Sequence, residues 1–172
     1  MQRNSSYPHD LQAGSRTQMS SRRQLIKFAV GIAAATVALP QVSSASQSPI
    51  YTSGLSNTAV GGYDTVAYFT QGKPVKGSSE FSTKYKDVNW EFASQENLDL
   101  FLGDPDKYMP AYGGYCAYAV ALGSTAKGDP KQWEIYNDRL YLNVNASIQR
   151  RWTADKPGFI ERSEANWPTV LD

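Results

Sequence analysis

Residues 81–102 have the sequence FSTKYKDVNWEFASQENLDLFL, which contains the signals for two kinds of regular structure. The stretches 81–85 and 89–92 alternate apolar and polar residues on either side of a short polar connection, which predicts a β-hairpin. Ser94 then precedes a helix predicted over 95–102, with an apolar face. Strands and helices therefore follow one another over short distances in this part of the chain.

Similar short elements are predicted on both sides of this stretch. A second hairpin is predicted from residues 133–136 and 139–142, because Asn137-Asp138 between them favours a tight turn. Asp64 is a candidate N-cap for a short helix over 65–70. Further helical stretches are predicted at 106–109, 116–122, 146–154 and 158–166. Short hairpins interspersed with short helices predict a small single α+β domain over residues 59–172.

Two Gly-Gly-Tyr sequences, Gly61-Gly62-Tyr63 and Gly113-Gly114-Tyr115, each precede a helical stretch of small residues. They place Asp64 and Cys116 in comparable positions, each at the start of a helix. Paired glycines are typical of turns with positive φ, and they could also bind an anion at a helix start. The match is too short to establish a duplication.

Residues 1–45 have the three parts of a secretory signal. Arg22 and Arg23 are followed by Lys27, then by the apolar run 28–39, and the segment ends in small residues up to Ala45. The paired arginines favour the twin-arginine route, whose export machinery would be a partner of the chain. A general secretory signal that contains two arginines is the alternative, and Met19 is an alternative start.

Cleavage near Ala45 would release a periplasmic or secreted protein. The apolar run has about a dozen residues, whereas a transmembrane helix needs ~20, so no stable membrane anchor is expected. Residues 46–58 are rich in Ser, Thr, Gly and Pro and are predicted to form a tether.

The composition of residues 46–172 restricts the chemistry. These residues carry 12 Lys and Arg against 15 Asp and Glu, a net charge of −3 without a basic stripe, so nucleic acid is not an expected partner. The only histidine, His9, lies in the leader, and Met109 and Cys116 are the only sulfur-containing side chains after it. One cysteine cannot form an intramolecular disulfide, so an aromatic core has to stabilise the fold.

Several segments, in the same order, resemble the exported YHS-domain family. They are GYDTVAYF (62–69), WEFASQEN (90–97), DPDKY (104–108), YGGYCAY (112–118) and ANWP (165–168). The resemblance implies a treble-clef-like fold and a metal-related role, since YHS domains are similar to small metal-associated domains of transporters and sensors. The chain departs from the metal-binding members in its single Cys and in having no His after residue 45. The resemblance therefore does not carry over a multi-cysteine zinc or copper site.

Cys116 and Met109 are the candidate metal ligands, because thiolate and thioether sulfur suit Cu(I). A helix start would favour the Cys116 thiolate. Alternatively, Cys116 is a small buried residue and Met109 fills the core. Copper or another metal ion is therefore one candidate cofactor.

A tyrosine-lined pocket for a small ligand is the second candidate site. Its residues would be Tyr63, Asp64, Tyr68, Tyr112, Gly113, Gly114, Tyr115 and Tyr118. Tyrosine could also ligate haem, a less favoured cofactor. In the alternative interpretation the tyrosines are packing residues, and Asp64 acts only as an N-cap.

The predicted function is a non-catalytic, periplasmic, YHS-type binding module for a metal or a small ligand. Without histidine a Ser-His or Cys-His nucleophile pair cannot form. One alternative is a ligand-free structural domain that docks another protein of the cell envelope. The third hypothesis is an enzyme that uses Cys116 or a pair of carboxylates.

Overall fold

The computed structural model describes residues 46–53 and 56–172. The predicted signal segment, with Arg22, Arg23 and Lys27, lies outside the described residues. Within them, two antiparallel two-stranded sheets are combined with six α-helices, which confirms the α+β class. In this part of the chain no helix is both long enough and apolar enough to cross a membrane.

The helices and strands follow one another in two similar series. The first contains α1 (Ala67–Thr70), β1 (Ser78–Tyr85), β2 (Val88–Phe92), α2 (Gln95–Gly103) and α3 (Pro105–Tyr108). The second contains α4 (Ala117–Ala121), β3 (Asp129–Tyr136), β4 (Arg139–Asn143), α5 (Ala146–Thr153) and α6 (Lys156–Asn166). Both predicted hairpins are present, and β1 and β3 begin earlier than predicted because a register shift lengthens each of them.

Local sequence signals explain the positions of the hairpin turns and of the helix starts. The two residues of each hairpin turn, Lys86-Asp87 and Asn137-Asp138, have positive φ, as a turn that matches the strand twist requires. Ser94 and Asn145 cap α2 and α5, since each side-chain oxygen accepts a hydrogen bond from the N–H three residues later. Asp104 and Asp155 cap α3 and α6 in the same way.

The backbone repeats itself far more extensively than the sequence indicates. A tight turn, the first turn (Val60–Gly62), precedes α1, and a second turn (Ala111–Gly114) precedes α4. Within the described residues, every residue with positive φ in one series has a counterpart with positive φ in the other. The pairs are Val60 and Tyr112, Gly61 and Gly113, Gly62 and Gly114, Gly72 and Gly123, Lys86 and Asn137, and Asp87 and Asp138. Residues 60–108 and 112–166 are therefore two copies of one structural unit, called here the first and second unit.

Each unit builds its core around one large ring at the same position of the helix that follows its hairpin. Phe101 on α2 lies 5.1 Å from the Trp90 ring and 5.0 Å from the Phe92 ring. The counterpart on α5 is Trp152, whose ring lies 5.1 Å from that of Tyr141. Buried aromatic rings of this size contribute a large share of the hydrophobic stabilisation. Leu140 and Leu142 of the second unit belong to the cluster around Phe101, so the two units share a core.

The stretch 46–53 differs from the predicted tether. Ile50 is only 5% exposed and belongs to the cluster around Phe101. Tyr51 donates its N–H to the Gly113 carbonyl at 2.9 Å, and Thr52 forms an isolated β-bridge with Ala59. Ile50 and Tyr51 are the apolar exception in a Ser- and Thr-rich stretch, and their burial against the second turn holds this part of the chain in place.

Candidate functional site

Asp64 is a buried residue whose contacts are structural. Its carboxylate accepts the N–H groups of Val66 at 2.9 Å and Ala67 at 3.1 Å, in the turn that leads into α1, whose own N-cap is Val66 rather than Asp64. It also accepts Ala93 N–H at 2.8 Å and Asn97 Nδ2 at 2.6 Å. With four donors, this fully buried side chain joins α1 to the end of β2 and to α2.

Cys116 occupies the equivalent position in the second unit and is also fully buried. Its Sγ lies 3.6 Å from Asn143 Oδ1, which in addition accepts the Tyr118 N–H at 3.2 Å. Burial raises the pKa of the Cys116 thiol, although nearby backbone groups partly oppose this. The direction is opposite to that of a helix-start thiolate, and the surroundings are those of the alternative interpretation, a small buried residue.

Met109 and Cys116 lie in different surroundings. Met109 is partly buried, packs against the cluster around Phe101 and lines a surface cavity together with Tyr112 and Gly113. Cys116 does not line that cavity. Among residues 46–53 and 56–172, no three His, Cys, Asp or Glu side chains are close enough together to hold a metal ion.

Two of the predicted pocket tyrosines use their hydroxyl groups inside the fold. Tyr68 donates to the Pro130 carbonyl and Tyr115 donates to the Ser48 carbonyl, each at 2.8 Å. Burial raises the pKa of both tyrosines, so both stay neutral at ordinary pH. These residues tie the first unit to the second and the second unit to residues 46–53.

The other predicted residues are dispersed. Tyr118 is partly buried, and its ring lies 4.8 Å from that of Phe159. Tyr63 lines a separate cavity, with Lys76 Nζ 4.7 Å from the ring centre. Gly114 is buried in the second turn. Of the predicted ligand-binding and metal-binding residues, Met109, Tyr112 and Gly113 share one cavity of the described part of the chain.

That cavity, called here the Tyr112 cavity, has a volume of about 300 Å³. One side carries the ion pair of Lys86 and Asp106, whose charged atoms are 3.5 Å apart. The Arg139 side chain also lines the cavity, with its guanidinium carbon 5.9 Å from the centre of the Tyr112 ring. The remaining lining residues are Pro49, Ile50, Pro110, Ala111 and Trp167.

A hydrogen-bonded group fixes the Tyr112 ring and the Arg139 side chain. Glu164 Oε1 accepts the Tyr112 hydroxyl at 3.1 Å and Arg139 Nη1 at 2.8 Å. Burial, with a contribution from the Glu164 carboxylate, raises the pKa of Tyr112 and keeps its hydroxyl protonated. Arg139 and Lys86 were not predicted as site residues, because each lies at or beside a hairpin turn and no local pattern relates them to Tyr112.

A model of the YHS domain matches residues 66–112, so a YHS domain is found in this stretch. The matched residues run from the start of α1 to the second turn, which is nearly the whole first unit, and they include Lys86, Met109 and Tyr112. Apart from Tyr112, the second unit lies outside the match, although it repeats the same order of elements. No curated protein and no solved structure shows significant similarity to the chain.

Proposed function

We propose that this protein is a non-catalytic binding module of the periplasm, and that it holds a small ligand in the Tyr112 cavity. The observation that carries the proposal is the convergence of Met109, Tyr112 and Gly113 with two cationic side chains on one concave surface. Ligand sites typically combine apolar and aromatic walls with a few placed polar groups, in cavities from about 300 Å³ upwards. The Tyr112 cavity has this composition and lies at the lower end of that range.

The lining favours a small organic anion with a flat apolar part. Tyr112 and Trp167 supply ring surfaces, and Arg139 and Lys86 supply positive charge, which the paired carboxylates of Glu164 and Asp106 partly offset. Glu164 engages Nη1 of the Arg139 guanidinium, which has five N–H donors in all, so further donors serve a bound carboxylate or similar group. Met109 adds a polarisable apolar contact.

A catalytic role is not part of the proposal, because the reactive groups near the cavity are already engaged. The Tyr112 hydroxyl is bound to Glu164, and Asp106 is paired with Lys86. The Cys116 thiol is buried away from the cavity lining. YHS domains are often linked to metal handling, but Met109 would be a single soft donor here, so a bound metal would take most of its ligands from outside the protein.

Benzoate, a small aromatic carboxylate, is expected to bind saturably to the purified protein. Lys86→Gln should weaken this binding by about tenfold, because it removes one charged donor from the cavity. Lys84→Gln is the matched control, since Lys84 lies on the same hairpin, pairs with Asp87 at 3.3 Å and does not line the cavity. Calorimetric titration measures both effects.

Two results would contradict this proposal. One is benzoate binding that is absent or changes equally in Lys86→Gln and Lys84→Gln. The other is tight Cu(I) binding that Met109→Leu abolishes, measured against a competing chelator, which would identify the cavity as part of a metal site instead.

The periplasmic location is tested through the paired arginines. Changing Arg22 and Arg23 together to Lys is expected to abolish the appearance of the mature protein in the periplasm, because the twin-arginine route depends on this pair. Cell fractionation and immunoblotting measure the effect, with Arg3→Lys and Arg16→Lys as a control in the same leader. Unimpaired export of the paired variant would assign the leader to the general secretory route.

A further inference from the structure

The glycine turns of the two units differ in what packs against them. In the second unit, residues 47–52, called here the N-terminal segment, lie across the second turn. Tyr51 N–H bonds to the Gly113 carbonyl, Tyr115 donates its hydroxyl to the Ser48 carbonyl, and Pro49 and Ile50 lie directly against the Gly113 backbone. Gly113 is partly shielded and Tyr115 is buried as a result.

The first turn has the same backbone angles, but the described residues leave it open at Gly61. No atom of the described residues lies within 4 Å of the position that a Cβ on Gly61 would take. Gly61 is exposed, and Tyr63 is only partly buried where its counterpart Tyr115 is buried. A cavity of about 220 Å³, called here the Tyr63 cavity, adjoins this turn.

The walls of the Tyr63 cavity suit a chain in extended conformation. Tyr51, Tyr63 and Pro130 supply apolar surface, while Lys127 and Asp129 supply one charge of each sign. Lys76 Nζ donates to the Gly61 carbonyl at 2.6 Å, at the position where Tyr51 N–H donates in the second unit. A carbonyl oxygen has two lone pairs, so this contact leaves room for a second donor.

We propose that the first turn and the Tyr63 cavity bind an extended segment of a partner protein, in the manner in which the second turn holds the N-terminal segment. The partner segment has the chemistry of residues 48–51, Ser-Pro-Ile-Tyr, which are a proline followed by an aliphatic and an aromatic side chain. Proline pre-orders such a segment and lowers the entropy that binding costs. This surface is separate from the Tyr112 cavity, so the proposal does not depend on the small-ligand site.

A labelled peptide with the sequence of residues 47–52, QSPIYT, is the probe. Fluorescence anisotropy with the purified full chain is expected to show saturable binding that a scrambled peptide lacks. Gly61→Asn should weaken binding by about tenfold or more, because its side chain would stand where the counterpart of the Pro49 carbonyl has to lie. The variant should stay folded, since Asn tolerates positive φ and the added Cβ meets none of the described atoms.

Gly72→Asn is the matched control, because Gly72 also has positive φ and open space around its Cβ position but does not line the Tyr63 cavity. It should leave peptide affinity unchanged. NMR spectra of the labelled protein should show shifts of the Gly61 and Gly128 amides on peptide addition. Absence of binding at millimolar peptide, or equal affinities of the two variants, would overturn the proposal. Shifts confined to Gly113 would overturn it too, since the peptide would then only displace the N-terminal segment.

Discussion

Asp64→Ala is expected to lower the free energy of unfolding by at least about 3 kcal/mol, because it leaves buried donors without an acceptor. Ala93 N–H and Asn97 Nδ2 both bond to Asp64 Oδ2, and no other side chain of the described residues accepts a hydrogen bond from either group. A domain of this size is typically stable by about 5–15 kcal/mol, so the variant would keep only part of its stability. Urea unfolding followed by tryptophan fluorescence measures the loss.

Asp104→Ala is the control for this prediction. Asp104 is an exposed cap whose carboxylate accepts only the Lys107 N–H in α3, at 3.2 Å, so its removal should cost about 1 kcal/mol. Asp64→Asn should fall between the two variants, because the amide keeps one acceptor oxygen but turns a second donor toward Ala93 or Asn97. Equal losses for Asp64→Ala and Asp104→Ala would show that Asp64 is a simple cap, as in the interpretation drawn from the sequence alone.

Asp64 and Cys116 hold equivalent positions in the two units but have different roles, and their sequence position did not indicate this difference. Both helix starts need an acceptor for backbone N–H groups. In the first unit Asp64 supplies it from the turn, whereas in the second unit Asn143 supplies it from the end of β4. Phe92 ends β2 where Asn143 ends β4. The polar residue is therefore at the helix start in the first unit and at the strand end in the second unit. Such an exchange depends on contacts between elements and leaves no local pattern in the sequence.

Local features of the fold could be predicted because they depend on neighbouring residues. The hairpin turn at Asn137-Asp138, the cap at Ser94 and the helix of Phe101 all follow from short-range patterns. The full duplication could not be predicted, because beyond Gly-Gly-Tyr and a few matched turn residues the units share only a set of backbone angles. At Val60 and Tyr112, or at Lys86 and Asn137, the same positive φ is held by unrelated side chains.

The candidate site shows the same division between local and long-range information. Met109, Tyr112 and Gly113 are close in sequence, and they do meet in one cavity. Their partners Lys86 and Arg139 come from the two hairpins, and Trp167 comes from the residue after α6. The burial of Ile50 was also hidden, because the polar composition around it is typical of a linker, whereas its contacts are made with residues far along the chain.

Gly113→Ala is expected to release the N-terminal segment from the second turn. A Cβ at this position would overlap the Pro49 carbonyl and lie 2.9 Å from the Ile50 Cα, and both contacts are backbone atoms that cannot rotate away. The substitution should therefore cost the strain of positive φ, about 1–2 kcal/mol. It should also cost the burial of Ile50, about 2 kcal/mol, together with the hydrogen bonds of Tyr51 and Tyr115.

Gly61→Ala separates the cost of backbone strain from the cost of losing the contacts of the N-terminal segment. Gly61 has φ of +60°, almost the same as the +59° of Gly113, but no described atom lies near its Cβ position. It should therefore show the strain of about 1–2 kcal/mol alone. Urea unfolding should rank the variants, and limited proteolysis should cut within residues 47–52 far faster in Gly113→Ala than in Gly61→Ala. Equal stability and equal proteolysis of the two variants would mean that the N-terminal segment contributes nothing to holding the second turn, and the asymmetry between the two units would then have no energetic basis.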